Sequence, residues 1–262
     1  NVYTVWRLKD DRGNFFGDPL WAKIVVTGGS ISSGSSGSSA SAGGTVDPVV
    51  ASTPLSRLLA DQTMWYSQVD PSWRGDQLGY GRETIGTWGC LMTCMSMALS
   101  ANGTRLTPKE MNQRLKNSSP SQGGFQQNSS VTPFLAPAYV GGLQYNKNVK
   151  SWPNKQVDWA EWTGENPISR IDNALAKGHI VVAQVDTRLN TAVVDQHWVV
   201  IVKRSGDDYQ ILDPLTPPNS ANRITSLKAR YMNYIPSESV ETNLRNAIIS
   251  TMVYTKPGGS GS

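Results

Sequence analysis

The sequence predicts an α+β domain with its helices gathered ahead of an antiparallel sheet, and three observations carry that prediction. Helix signals cluster between residues 53 and 116 and strand signals between 179 and 212, a segregated order rather than an alternating one. Ser205-Gly-Asp207 joins two strand runs so tightly that they must pair antiparallel. The stretch Cys90 to Ala101 carries no charge, so it reads as a helix buried on most sides.

Taken in order, Val2 to Leu8 and Leu20 to Val26 read as the strands of one hairpin, interrupted by Asp10-Asp-Arg-Gly-Asn14 and by a Gly17-Asp-Pro19 turn. Residues 27 to 45 are almost entirely Gly and Ser, which cannot bury enough apolar area to offset the entropy of ordering. They are expected to be a flexible linker with a reach of roughly 25 Å. Thr53 to Asp61 is a short helix with Thr53 or Ser56 as cap. The uncharged helix from Cys90 is rich in Met, Leu and Ala and ends at Asn102-Gly103. Thr107-Pro-Lys-Glu110 opens the next one, with Thr107 as N-cap, Pro108 in the first turn and Glu110 closing a capping box. Ile168 to Ala176 is a further helix, stopped by Gly178. Strands follow at His179 to Val185, His197 to Lys203 and Asp208 to Leu212. The expected organisation is therefore a hairpin over 1–26, a linker over 27–45, a compact domain over 46–257, and a flexible tail or cloning scar over 258–262.

Composition removes several function classes. The 262 residues include 24 Lys+Arg and 20 Asp+Glu, a formal charge of +4 that is no nucleic-acid signature. With 38% hydrophobic residues, nine Trp and nine Tyr, the chain can bury a full core. Two Cys and two His leave little room for metal chemistry, and Cys90-x3-Cys94 with His179-x17-His197 matches none of the usual zinc spacings. The same two cysteines, four apart on a helix, are poorly directed for a disulfide. The longest apolar runs are too short to span a bilayer, and no basic and apolar leader opens the chain. Gly75-x3-Gly79-x-Gly81 lacks the Lys of a phosphate loop and reads as a turn cluster. Met92, Met95 and Met97 read as core filler, and Trp152, Trp159 and Trp162 as core or cleft wall. No cofactor is expected.

Three residues stand out for chemistry. Thr84-Ile-Gly-Thr-Trp-Gly-Cys90 leads straight into the apolar helix, and a thiol at a helix N-terminus meets a dipole and unpaired N–H groups that favour thiolate. Gly89 before it would let a substrate backbone come close. The competing reading is that Cys90 is simply a small buried hydrophobe. His197 opens a strand, where a rigid imidazole can face a cleft while the strand itself is buried. Asp213-Pro214 ends the next strand, and antiparallel pairing brings its carboxylate beside that imidazole, although Asp-Pro is also an ordinary strand-ending turn.

A cysteine at a helix start followed about a hundred residues later by a histidine and an acid on a hairpin is the papain-like order of parts. Gln68-x-Asp70-x2-Trp73, Leu78-Gly79, Thr84-Ile-Gly86, Gly89-Cys90, Thr107-Pro108-x2-Met111-Asn112, Gln196-His197-Trp198-Val199 and Asp213-Pro214 together resemble the papain-superfamily cysteine peptidases similar to the double-glycine-leader (bacteriocin-processing) peptidases. The resemblance covers roughly Gln62 to Pro218. It implies a papain-like cysteine peptidase fold and peptide or amide cleavage, with Cys90 as nucleophile, His197 as general base and acid, and Asp213 as orienting acid. It also implies Gln68 as side-chain donor of an oxyanion hole whose other donor is the Cys90 backbone N–H; capping the Asp70-Pro71 turn is the other reading of Gln68. Transporter-linked members carry membrane segments that this chain does not show, so bacteriocin export is not implied. Separately, Tyr3-x2-Trp6-Arg-Leu8, Gly13, Phe16-Gly17 and Leu20-Trp21-x2-Ile24-x-Val26 resemble the closing strands of an Ig-like "four-tryptophan" domain.

The combined expectation is a secreted or cell-surface bacterial hydrolase, monomeric, acting on peptide or protein substrates, cell-wall peptide among them, without nucleic acid or membrane insertion. A transpeptidase or cell-wall amidase using the same three residues, and an inactive surface binding module, are the alternatives.

Overall fold

The computed structural model describes residues 2–9, 15–24, 53–153, 157, 159–187, 196–231 and 237–257. They fall into two compact units, 1–51 and 52–262.

The first unit holds one antiparallel pair, β1 (Val2–Lys9) and β2 (Phe15–Ile24). Gly17-Asp-Pro19 does not form the expected turn. It lies inside β2, where the register steps from Trp6↔Leu20 to Leu8↔Phe16 and Arg7 faces three residues instead of one. A proline without an N–H and a permissive glycine interrupt the ladder as a bulge without reversing the chain. The linker over 27–45 and the tail over 258–262 lie outside the described residues.

The second unit begins its regular structure with α1 (Pro54–Ala60), where the Thr53 hydroxyl accepts from the Ser56 N–H at 3.1 Å. A single turn, α2 (Ile85–Trp88), runs through Gly89 into α3 (Cys90–Ala101). Every residue of α3 from Leu91 to Ala101 is buried. Met92, Met95, Met97 and Leu99 form its packing surface, each Leu or Met contributing on the order of 1.5–3 kcal/mol of burial. α4 (Pro108–Lys116) carries the predicted capping box, with the Thr107 N–H donating to Glu110 at 2.8 Å. α5 (Ala136–Gly141) and β3 (Gln144–Lys150) follow, neither anticipated from the sequence. α6 (Pro167–Ala176) is capped by Asn166 and stopped by Gly178, whose φ of +70° suits glycine.

The predicted strands appear as β4 (Ile180–Asp186), β5 (Gln196–Ser205) and β6 (Asp208–Leu212). They are joined by β7 (Ile224–Ser226), α7 (Leu227–Tyr231), α8 (Val240–Ala247) and β8 (Ile248–Thr255). The sheet order is β3-β8-β4-β5-β6-β7, and each neighbouring pair of strands runs antiparallel. The C-terminal β8 therefore inserts beside β4, inside the sheet.

Alternation divides the sheet's side chains between two cores. Val182, Trp198, Val200 and Leu212 pack with α1, α3 and α4, while Val181, Val199, Ile201 and Ile211 pack with α6, α7 and α8. Both faces are covered, which is why β4 is buried along its whole length, Gln184 and Asp186 included.

Candidate active site

The N-terminus of α3 meets the sheet where β5 begins and β6 ends. Antiparallel pairing puts Val200 opposite Leu212, so the residue after β6, Asp213, comes up beside the start of β5. His197 Nε2 lies 2.8 Å from Asp213 Oδ1, with both side chains buried. An ionised carboxylate can only accept, so Nε2 donates to it and Nδ1 is left as the ring nitrogen available to the sulfur of Cys90.

Burial alone would depress the His197 pKa. The Asp213 hydrogen bond, the hydrogen bond and charge of Cys90, and the charge of Asp213 outweigh it and raise the pKa to about 9. Burial acts on Asp213 in the opposite sense, and the His197 bond and charge, the Tyr231 hydroxyl and the Leu215 N–H bring its pKa down to about 2. The pair is thus held as imidazolium and carboxylate over a wide pH range.

Cys90 is half-buried and Cys94, one turn on, is fully buried. Gly89 is demanded by the backbone itself. A Cβ there would stand 2.4 Å from the Ile85 carbonyl oxygen, so glycine is required for the tight passage from α2 into α3.

Gln68 is buried, and its backbone N–H donates to Pro214 O at 2.9 Å, which ties it to the Asp213 turn. Its side-chain Nε2 donates one hydrogen to Gly86 O at 3.0 Å, leaving the amide's second N–H, and Oε1 has no hydrogen-bond partner. It does not cap the Asp70-Pro71 turn, where Asp70 Oδ1 accepts from the Ser72 N–H instead.

Gln68, Cys90 and His197 line one cleft of about 570 Å³, walled by Trp88, Leu91, Val131, Trp198 and Leu215. Trp88 and Val131, at 60% and 67% exposure, are among the most exposed large apolar side chains of the described residues. Two larger hollows, of about 790 and 740 Å³, hold none of these residues. Trp152, Trp159 and Trp162 do not line the cleft. Trp159 and Trp162 are 38% and 39% exposed, and the Arg245 guanidinium stacks over Trp152 at 3.7 Å. Among the described residues no cluster of His, Cys, Asp or Glu could hold a metal ion, and no helix is long and apolar enough to cross a membrane.

Sequence reasoning missed Arg230 and Tyr231, which both reach Asp213 from α7. No local signal marks them, since the contact depends on where α7 folds back over β6.

Residues 64–239, about two thirds of the chain, match the model of the Peptidase_C39 like family. A solved structure described as a C39-like peptidase from Bacillus anthracis is similar at 16% identity and a TM-score of 0.38, over 64% of this chain and 89% of that one. No curated protein matches.

Proposed function

The chain belongs to the Peptidase_C39 like family, and from that premise we propose that it is a cysteine hydrolase cleaving peptide or related amide bonds through an S-acyl enzyme. The observation that carries this reading is the convergence of Cys90, His197 and Gln68 on one cleft, with Asp213 behind the imidazole. The Cys90 thiolate attacks the scissile carbonyl carbon. The resulting oxyanion is held by the Cys90 backbone N–H and the second N–H of Gln68, each such donor typically worth on the order of 10² to 10³ in rate. His197 gives its proton to the departing amine, leaving the acyl thioester. It then takes a proton from water, the hydroxide attacks the thioester, and collapse expels the thiolate and the carboxylic acid. Asp213 keeps the ring oriented throughout.

The same reading assigns residues 46–257 to catalysis and 27–45 to a tether, so proteolysis within 27–45 should release an active fragment. The resemblance of residues 1–26 to an Ig-like surface module motivates a location outside the cell, which cell fractionation checks. Incubation with a peptide library and with cell-wall fragments, in parallel with Cys90→Ala, is the functional test. Cleavage by the native chain and none by the variant is expected. Equal product from both would remove Cys90 from the chemistry, and products formed only when an amine is supplied would favour transpeptidation.

A further inference from the structure

Asp213 has an environment richer than a hydrogen bond to histidine requires. Its Oδ1 accepts from His197 Nε2 and from the Leu215 N–H, both at 2.8 Å. Its Oδ2 accepts from the Tyr231 hydroxyl at 2.5 Å and pairs with Arg230 Nε. The second pair comes from the last turn of α7, and the start of α7 is fastened as well. Asp208, the first residue of β6, accepts from the Lys228 N–H at 2.9 Å and from the Ser226 hydroxyl. Two carboxylates at the two ends of β6 therefore grip the two ends of one short helix. A five-residue helix rises only about 7.5 Å where a five-residue strand spans about 17 Å, and the long Arg230 and Tyr231 side chains bridge the difference.

Resting on the reading that Asp213 orients His197, we infer that Tyr231 and Arg230 are positioning residues that clamp Oδ2 so that Oδ1 stays aimed at His197 Nε2. A carboxylate turns freely about its Cβ–Cγ bond unless its second oxygen is held, and misplacement by about 1 Å can cost on the order of 10² in rate. The Tyr231 ring also lies beside the imidazole, with centroids 5.7 Å apart at 56°, which limits how far the imidazole can swing. Burial and the Asp213 charge push the Tyr231 hydroxyl pKa far up, so it donates at every working pH. The titratable and charged groups around Asp213 are His197 of β5, Arg230 and Tyr231 of α7 and, deeper, Cys94 of α3, with Cys90 acting through His197.

A second cluster of the same composition supplies the control. The Tyr209 hydroxyl donates to Asp172 Oδ1 at 2.7 Å and accepts from Arg204 Nη1 at 2.9 Å, and none of the three lines the cleft. Tyr231→Phe, Arg230→Gln and Tyr209→Phe are compared by kcat and KM on a peptide the native chain cleaves, and by the pH dependence of Cys90 alkylation with iodoacetamide. The alkylation needs no substrate. Tyr231→Phe and Arg230→Gln should each lower kcat about ten- to a hundredfold with KM unchanged. Loss of either donor raises the Asp213 pKa and moves the acid limb of alkylation to higher pH. Tyr209→Phe should lower the melting temperature and leave kcat and the pH limb in place. If Tyr231→Phe and Arg230→Gln behave like Tyr209→Phe, the clamp is purely structural and the inference is overturned, while an inactive Cys90→Ala leaves the hydrolase reading intact. Native Cys90 silent to iodoacetamide at pH 6 would end both.

Discussion

Two cysteines and two histidines occur in the chain, and only one of each reaches the cleft. Cys90 and Cys94 stand one turn apart on α3, yet Cys90 occupies the first position, half-exposed at the helix N-terminus, while Cys94 is fully buried in the apolar core. Burial, then the charges of Cys90 and Asp213, push the Cys94 pKa well above the ordinary thiol value and keep it an inert hydrophobe. The histidines are separated by strand direction. Each lies at the start of a strand, His179 just ahead of β4 and His197 within β5, but the two strands are antiparallel, with Val181 opposite Ile201 and Asp186 opposite Gln196. His179 is thereby carried to the far end of the sheet, away from Asp213. Its pKa is lowered by burial and by Lys177, whereas that of His197 is raised. Residue type alone does not choose the pair that lines the cleft; helix position and strand polarity do.

The contrast can be broken most decisively at the thiols. Cys90→Ala should abolish turnover while changing stability by less than about 1 kcal/mol, as paired activity and thermal-melt measurements would show. Removing the partner of one histidine comes next: Asp213→Asn should lower kcat/KM by about 10³ to 10⁴ and move the alkaline limb of activity to lower pH, because one of the two groups that raise the His197 pKa is gone. Gln68→Ala should cost about 10² to 10³ in kcat with little change in KM, and an unchanged kcat would return Gln68 to a purely structural role.

Smaller effects sharpen the comparison. Cys94→Ala should keep full turnover and lose about 1–2 kcal/mol of stability, since it empties a packed site on the buried surface of α3; inactivation would mean that the wrong thiol has been assigned. The two histidines should influence stability against pH in opposite directions. His197, with its folded pKa above the unfolded value of 6.5, contributes stability that is complete below about pH 6.5 and lost as the pH climbs through about 9. His179, with its folded pKa below 6.5, contributes above that value and loses its contribution as the pH falls. In urea titrations across this range, His197→Gln and His179→Gln should therefore alter opposite limbs, and His179→Gln should leave turnover intact.

What was readable from the sequence was local. The capping box at Thr107 and Glu110, the uncharged run of α3, the stop at Gly178 and the turn at Gly206 each write their structure within a few residues. The hairpin of β5 and β6 was enough to bring His197 and Asp213 together. What escaped depends on distant pairing. Ile248 to Thr255 carries the β-branched and aromatic residues of a strand, but nothing nearby says that it inserts between β3 and β4. Arg230 and Tyr231 sit in a short polar helix whose purpose is visible only once α7 lies over β6. The Gly17-Pro19 segment has every mark of a turn, and the strand opposite it decides otherwise.

The most direct measurement is the rate of Cys90 alkylation by iodoacetamide at pH 6, followed by mass spectrometry in the native chain and in His197→Gln, with Cys94 as the internal reference. Stoichiometric labelling of Cys90 alone, slowed strongly when the imidazole is removed, is the predicted result. Labelling of Cys94, no labelling of either thiol, or equal Cys90 rates in the two proteins would contradict the assignment of Cys90 and His197 as a reactive pair.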